Sequence, residues 1–149
     1  MAAGQTLVVF HAAGATINDS TDALFDIVND QLCLDFLDGA NRDARFQNIM
    51  PSSYRGLVGI DVILHLAMSS GTTGAVRVDV SFERQTGLDL NTDSFAAVKS
   101  ATTNVPTSAA RTEFTSTVQF AAGAELDSVV AGDMFRLKIT RDAVNAADT

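Results

Sequence analysis

The side chains that could do chemistry in this chain are few and widely spaced. The sequence has two histidines, His11 and His65, and one cysteine, Cys33. A metal site or a nucleophile–base pair would have to combine these with acidic residues. Asp61 and His65 would share one face of a strand, but roughly 13 Å of strand separates them, too far for one metal ion or one proton transfer. We therefore expect no catalytic residue, no metal and no cofactor.

One acidic stretch resembles the beginning of a calcium-binding EF-hand loop. Asp89, Asn91 and Asp93 have the required spacing. The sixth position should be glycine and is Ser94, and the twelfth should be glutamate and is Ser100. We interpret the stretch as a solvated loop with Asx-type turns.

A second acidic group surrounds a turn. Asp35, Asp38 and Asp43 lie close in sequence and could hold calcium between subunits, although charged turns are usually only solvated. Aromatic platforms for a sugar are scarce, since the chain has no Trp and Tyr54 is its one tyrosine. The sequence therefore does not indicate a lectin.

Composition limits the classes of partner. The formal net charge is −8 and the pI about 4.4, which argues against binding to nucleic acid or to anionic membrane. No stretch approaches the roughly 18 apolar residues of a membrane helix, and residues 1–6 do not resemble a signal peptide. We expect one domain over residues 1–149, made in a cytoplasm, with residues 1–5 and 143–149 as flexible or partner-bound tails.

The elements that would position these side chains are β-strands. Apolar residues alternate along residues 57–68 and 75–84, and Gly71 and Gly74 lie between the two runs. This pattern predicts a long β-hairpin with one apolar face. Further strands are predicted at residues 6–13, 24–28, 32–36, 44–50, 111–121 and 134–141. Residues 95–101 fit a strand or a short helix, and residues 123–133 contain a helical turn.

The fold predicted from these elements is all-β: a jelly-roll-like antiparallel β-sandwich of about eight strands, with one short helix before the last strand. The first strand is apolar on both sides, as if a neighbouring subunit covered it. We therefore predict subunit contacts at Leu7, Val8, Val9 and Phe10, and at the outward-facing Ile63.

Several passages resemble small jelly-roll virion proteins of tailed bacteriophages, of the capsid cement (decoration) or tail-fibre type. They are RFQNIMP at residues 45–51 with YRG at 54–56, VILHLAM at 62–68 with GAVRV at 74–78 and FER at 82–84, and LDSVVAGDMFRLKITRD at 126–142. The family often has Trp in its central strand, where this chain has Leu66 and Val78. The resemblance carries over no catalytic residue and no binding site.

The resemblance implies a non-enzymatic capsid cement protein that binds the assembled head as a homotrimer, with the major capsid protein as its partner and the capsid surface as its location. A tail-fibre or receptor-binding domain is the alternative, although no shaft or attachment segment is visible. A small cupin-like metal enzyme is a remote alternative, because that fold needs clustered His and Glu.

Overall fold

The computed structural model describes residues 4–149 as an all-β protein. Its eight strands form antiparallel sheets in a β-sandwich, and its helical content is two 3-10 turns, Ala12–Gly14 and Ala124–Leu126. The second turn lies just before the last strand, as predicted. The strands are β1 Leu24–Val28, β2 Gln31–Asp35, β3 Arg42–Ile49, β4 Ile60–Leu66, β5 Ala75–Arg84, β6 Lys99–Asn104, β7 Phe114–Phe120 and β8 Met134–Arg141.

One layer of the sandwich is a four-stranded sheet in the order β3-β8-β5-β6. Val76, Val78, Val80 and Phe82 of β5 are buried on its inner face, as their alternation predicts. The central pair β5–β8 is in register from Val78 opposite Arg141 to Arg84 opposite Phe135.

The second layer contains the pair β4–β7, in which β7 packs against β5 and β6. The ring of Phe120 meets Phe82 across the layers at 4.9 Å, edge to face. Nearer the other end of β7, the Thr103 hydroxyl of β6 donates to the Ser116 hydroxyl over 2.8 Å. Strand β7 is alternately buried and exposed along its whole length, which confirms the strand predicted within residues 111–121.

The predicted hairpin of residues 57–84 is wrong. Strand β4 pairs with β7, from Ile60 opposite Phe120 to Leu66 opposite Phe114, whereas β5 pairs with β6 and β8. The connection through Gly71 and Gly74 is thus an arch between the two layers. Alternation shows which face of a strand is apolar but does not identify the neighbouring strand. The apolar face is buried equally well whether the two strands pair within one sheet or lie in opposite layers.

The predicted first strand, residues 6–13, is also wrong. Among the described residues this segment lies outside every ladder, and its last part forms the turn Ala12–Gly14. Leu7 and Phe10 pack against the core three positions apart, which is not the spacing of a strand. Of the ambiguous residues 95–101, residues 95–98 form a loop and residues 99–101 form the first part of β6, so the strand alternative is confirmed for the second part only.

The remaining pair, β1–β2, forms a separate hairpin that turns at Asn29 and Asp30, both with positive φ. The loop before it is joined to β3 by bridges from Thr16 to Arg45 and from Asp22 to Asp43.

At the carboxyl end, Thr149 exchanges backbone hydrogen bonds with Ala75, at 2.9 and 3.2 Å. The Asp148 carboxylate binds Arg141 over 2.7 Å. The predicted N-terminal tail was residues 1–5, of which residues 1–3 lie outside the described part of the chain.

Candidate interaction surface

The second layer covers only part of the four-stranded sheet. Strand β7 lies over β5 and β6, whereas the β3–β8 half is covered by the N-terminal segment. There Phe10 lies with its ring centroid 5.2 Å from that of Phe46 in β3 and 6.2 Å from that of Phe135 in β8. The N-terminal segment thus takes the place of further strands in the second layer.

A groove of about 2210 Å³ runs between β4 and this segment. Its inner surface is apolar and includes side chains from both layers. Strand β4 accordingly stays half-buried on its inward face, in contrast to β7, which is buried at every inward position. The inward residues of β4 are Ile60, Val62, Leu64 and Leu66.

The outer edge of β4 carries no neighbouring strand among residues 4–149. On that side its backbone N–H and C=O groups belong to no ladder of the described residues. An edge of this kind can pair with a further strand. The opening therefore combines apolar surface with hydrogen-bonding backbone, the two features that an added strand requires.

All five side chains predicted as subunit contacts line this one groove. Leu7 and Phe10 are partly buried against the core, and Val8 is half-buried. Val9 and Ile63 are 62% and 56% exposed. Residues far apart in sequence thus share one surface.

Sequence reasoning missed other exposed apolar residues beside the groove. Leu57 and Val58 were placed in a strand, but they lie before β4 and are 84% and 65% exposed. Leu32, on the β1–β2 hairpin, also borders the groove, and Phe25 and Ile27 share its face of the hairpin. The alternation in β1 and β2 indicates an apolar face, but only the structure shows that no other part of the chain covers this face among the described residues.

The histidines and acidic clusters remain separate in space. His65 is exposed, and its Nδ1 lies 2.7 Å from Glu113 Oε1. Asp38 binds Arg141, whereas Asp43 accepts a hydrogen bond from Thr140. Within residues 4–149, no three His, Cys, Asp or Glu side chains come close enough to hold a metal ion together.

The stretch that resembles an EF-hand forms the predicted Asx-type turn. The backbone N–H of Asn91 donates to Asp89 Oδ1 over 2.9 Å, and the N–H of Thr92 to the Asp89 carbonyl over 3.0 Å. The aspartate oxygen thus organises its own loop.

The outer face of the four-stranded sheet is polar but partly covered. The loop between β5 and β6 places Phe95 under Arg136 and Lys138, with the two cationic groups 5.0 and 5.1 Å from the ring centroid. Arg136 binds the buried carboxylate of Glu83, and this hydrogen bond raises the pKa of Arg136. The ion pair thus joins β5 to β8, and the contact of Phe95 with the two cations holds the loop on the sheet.

No helix in residues 4–149 combines the length and apolar character needed to cross a bilayer. Comparison of the chain with protein-family models, with curated proteins and with solved structures found no match.

Proposed function

We propose that this chain is a non-enzymatic structural protein of a bacteriophage particle. Its proposed role is that of a capsid cement protein, which binds the assembled head as a homotrimer and contacts the major capsid protein. The observation that carries the proposal is the groove beside β4 with its exposed apolar rim, at Val9, Leu32, Leu57, Val58 and Ile63. Clustered exposed apolar side chains mark sites of protein association.

The size of the rim suits a contact between proteins. A typical interface buries about 800 Å² on each partner, of which roughly 60% is apolar. The five rim residues, together with Phe25 and Ile27 on the hairpin, would supply much of that apolar part. A protein that binds only the assembled shell stabilises the shell by mass action, so an interface of ordinary size is sufficient for this role.

Many of the acidic side chains already have structural partners, which also supports a structural role. Asp22 binds Arg45, Asp133 binds Arg84 and Asp148 binds Arg141, in each case at 2.7 to 2.9 Å. The carboxylates of these pairs are nearly or fully buried. Such carboxylates hold loops and strand ends in place.

The test uses particles of the virus whose genome encodes this chain. A mass-spectrometric inventory of purified particles should contain the protein in many copies, and cryo-electron microscopy should locate it on the head as trimers. Its absence from the particles would defeat the proposal. Localisation to the tail, or adsorption of the isolated protein to host cells, would favour the receptor-binding alternative instead.

An add-back experiment tests the surface itself. Shells stripped of the protein should bind the natural chain and Val144→Asp, since Val144 is 68% exposed but does not line the groove. Val9→Asp and Ile63→Asp place a charge in the groove and should lower the bound fraction at least ~10-fold. Equal binding by all four proteins would show that the groove is not the contact.

A further inference from the structure

We propose that neighbouring copies of this chain exchange their N-terminal segments, so that residues 4–10 of one copy lie over β3 and β8 of the next. Such an exchange of an identical element is a domain swap, a low-cost route to an oligomer. It rests on the proposed function only for the number of copies. In the proposed homotrimer each segment would lie on the next copy, and the three would close a ring.

The N-terminal segment is held on the sheet by its side chains. Residues 4–10 share no backbone hydrogen bond with any other part of the chain that the structure describes. Leu7 and Phe10 pack against the core, whereas Val9 between them is 62% exposed. A segment with so few contacts opens locally at a small cost in free energy. Because it belongs to no ladder, its release would leave the strand pairs of both layers intact.

The hinge for this release is the turn Ala12–Gly14. The Gly14 N–H donates to the His11 carbonyl over 2.9 Å. The Ala15 N–H donates to the Ala12 carbonyl over 3.0 Å. The turn has no buried residue, and the backbone is extended on both sides of it, at His11 and Ala15. Straightening this one turn would therefore point the segment away from its own sheet without disturbing the core.

The hinge lies at an edge of the four-stranded sheet, where a second copy can approach. Just after the hinge, the Thr16 N–H donates to the Arg45 carbonyl of β3 over 2.7 Å. Strand β3 is an edge strand, so the chain passes round this edge between Phe10 and Thr16. If extended, the chain from Phe10 to Thr16 would reach about 20 Å. That length is sufficient to cross a contact between two adjacent copies.

The surface that receives the exchanged segment is the one that already holds the chain's own segment. The ring of Phe10 has its centroid 5.2 Å from that of Phe46 and 6.2 Å from that of Phe135. Phe10 of the neighbouring copy would meet the same two rings, so the fit is demonstrated within one chain. The incoming segment takes the place of the resident one, and no additional room over β3 and β8 is required.

Concentration decides between the two arrangements, because their side-chain contacts are the same. A dilute chain retains its own segment, as in the structure. Copies held together on a surface have an effective concentration on the order of 1 mM, and exchange also straightens a 3-10 turn, whose hydrogen-bond geometry is poor. After exchange, Val9 on the rim of the groove would come from the neighbouring copy. A complete groove would then exist only in the oligomer.

Photo-cross-linking distinguishes the two arrangements. The photoreactive amino acid benzoylphenylalanine, in place of Phe10, keeps an aromatic ring against β3 and β8. The unlabelled photoreactive chain is incubated at about 1 mM with an equal amount of isotope-labelled natural chain and is then illuminated. Exchange predicts that about half of the cross-links join the unlabelled segment to labelled peptides of β3 or β8. The same group in place of Val144 should give no such products, and cross-links confined to unlabelled peptides would overturn the proposal.

Two hinge variants give a second test, measured by sedimentation velocity. Gly14→Pro removes the N–H that binds the His11 carbonyl and disfavours a helical conformation at Ala13. Because it opens the hinge, it should raise the association constant at least ~10-fold. Gly14→Ala keeps the N–H, and its Cβ would meet nothing within 4 Å, so it should associate as the natural chain does. Equal association of the two variants would overturn the proposal.

The exchange and the proposed function can fail separately. Exchange in solution by a protein that is missing from purified particles would contradict the proposed function and support the exchange. Trimers on the head in which each segment covers its own sheet, as seen by cryo-electron microscopy, would contradict the exchange alone. Reciprocal dimers in solution would support the exchange and contradict the homotrimer.

Discussion

The carboxylate of Asp22 and the guanidinium of Arg45 form an ion pair between the loop before β1 and strand β3, with Arg45 Nη1 2.9 Å from Asp22 Oδ1. The Asp22 side chain is completely buried. Its other oxygen accepts hydrogen bonds from the backbone N–H groups of Asn18 and Asp19, at 2.6 and 3.3 Å. The Asp22 carboxylate thus binds strand β3 through one oxygen and the backbone of its own loop through the other, and so holds the loop on the sheet.

Replacing this carboxylate should destabilise the fold. Asp22→Asn retains the shape but leaves Arg45 without its buried partner, and we expect a loss of about 2–4 kcal/mol in the free energy of unfolding. Asp26→Asn is the control, because Asp26 is exposed and bonds only the next backbone N–H. Urea unfolding of the three proteins measures the difference. Equal midpoints for the two variants would show that the Asp22 pair adds nothing.

Phe10 should hold the N-terminal segment on the sheet. Phe10→Ala removes a ring that packs on Phe46 and Phe135, and we expect a cost of about 2–4 kcal/mol. Val9→Ala, one residue earlier and largely exposed, should cost less than about 0.5 kcal/mol. Hydrogen exchange should also show faster exchange around β3 and β8 in the Phe10 variant. Similar losses in both variants would mean that the segment is not anchored through this ring.

Gly59 should not tolerate a side chain. A Cβ built there would lie 2.1 Å from the Phe120 carbonyl oxygen, a backbone atom that cannot move without disturbing β7. Gly59→Ala should therefore lower stability by about 1–3 kcal/mol. Gly71→Ala is the matched control, because its Cβ would meet only the Met68 side chain at 3.5 Å. Thermal unfolding distinguishes the two, and an unchanged Gly59 variant would contradict this close approach.

Asp133 should make stability depend on acidity. Burial alone would raise the pKa of Asp133, but hydrogen bonds from the Val130 N–H and Arg84 outweigh it and lower the pKa below its usual value. A lowered pKa in the folded state adds stability above about pH 4, where the unfolded chain ionises, and this stability is lost as the pH falls further.

The natural chain should therefore lose stability between about pH 4 and pH 2, and Asp133→Asn should lose less over that interval although it is weaker at pH 7. Asp26→Asn is the control for removal of an exposed carboxylate. Urea unfolding at a series of pH values measures both. Parallel profiles for the natural chain and Asp133→Asn would contradict the assignment.

The sequence was sufficient to predict which face of a strand is buried, but not which strand pairs with it. Alternation in residues 76–82 and 114–120 placed the inward side chains correctly, because a buried face imposes a period of two. The pairing partner of β4 could not be predicted from the sequence, since pairing depends on which apolar faces meet in three dimensions. The β3–β8 cover was likewise missed, because an extended segment and a strand have similar local patterns.

The candidate surface was partly predictable. Leu7, Val8, Val9, Phe10 and Ile63 are apolar where a soluble strand would be expected to alternate or to face water, and this flagged them. That they line one groove depends on the arch that sends β4 and β5 into different layers. Glu83 is one of the polar residues that alternate with the apolar ones in β5, yet it is buried, because the loop that carries Phe95 folds over this part of the sheet.

The arch between β4 and β5 also determines the order in which the chain can fold. Strand β4 must wait for β7, whose first residue, Phe114, pairs with Leu66. At ribosomal speeds of about 5–20 residues per second, that wait lasts roughly 3 to 10 s. During it, an apolar strand has emerged without its partner, and long-range pairing of this kind is slow to form. Synthesis of this protein should therefore depend on chaperones that shield residues 60–66 until the second layer closes.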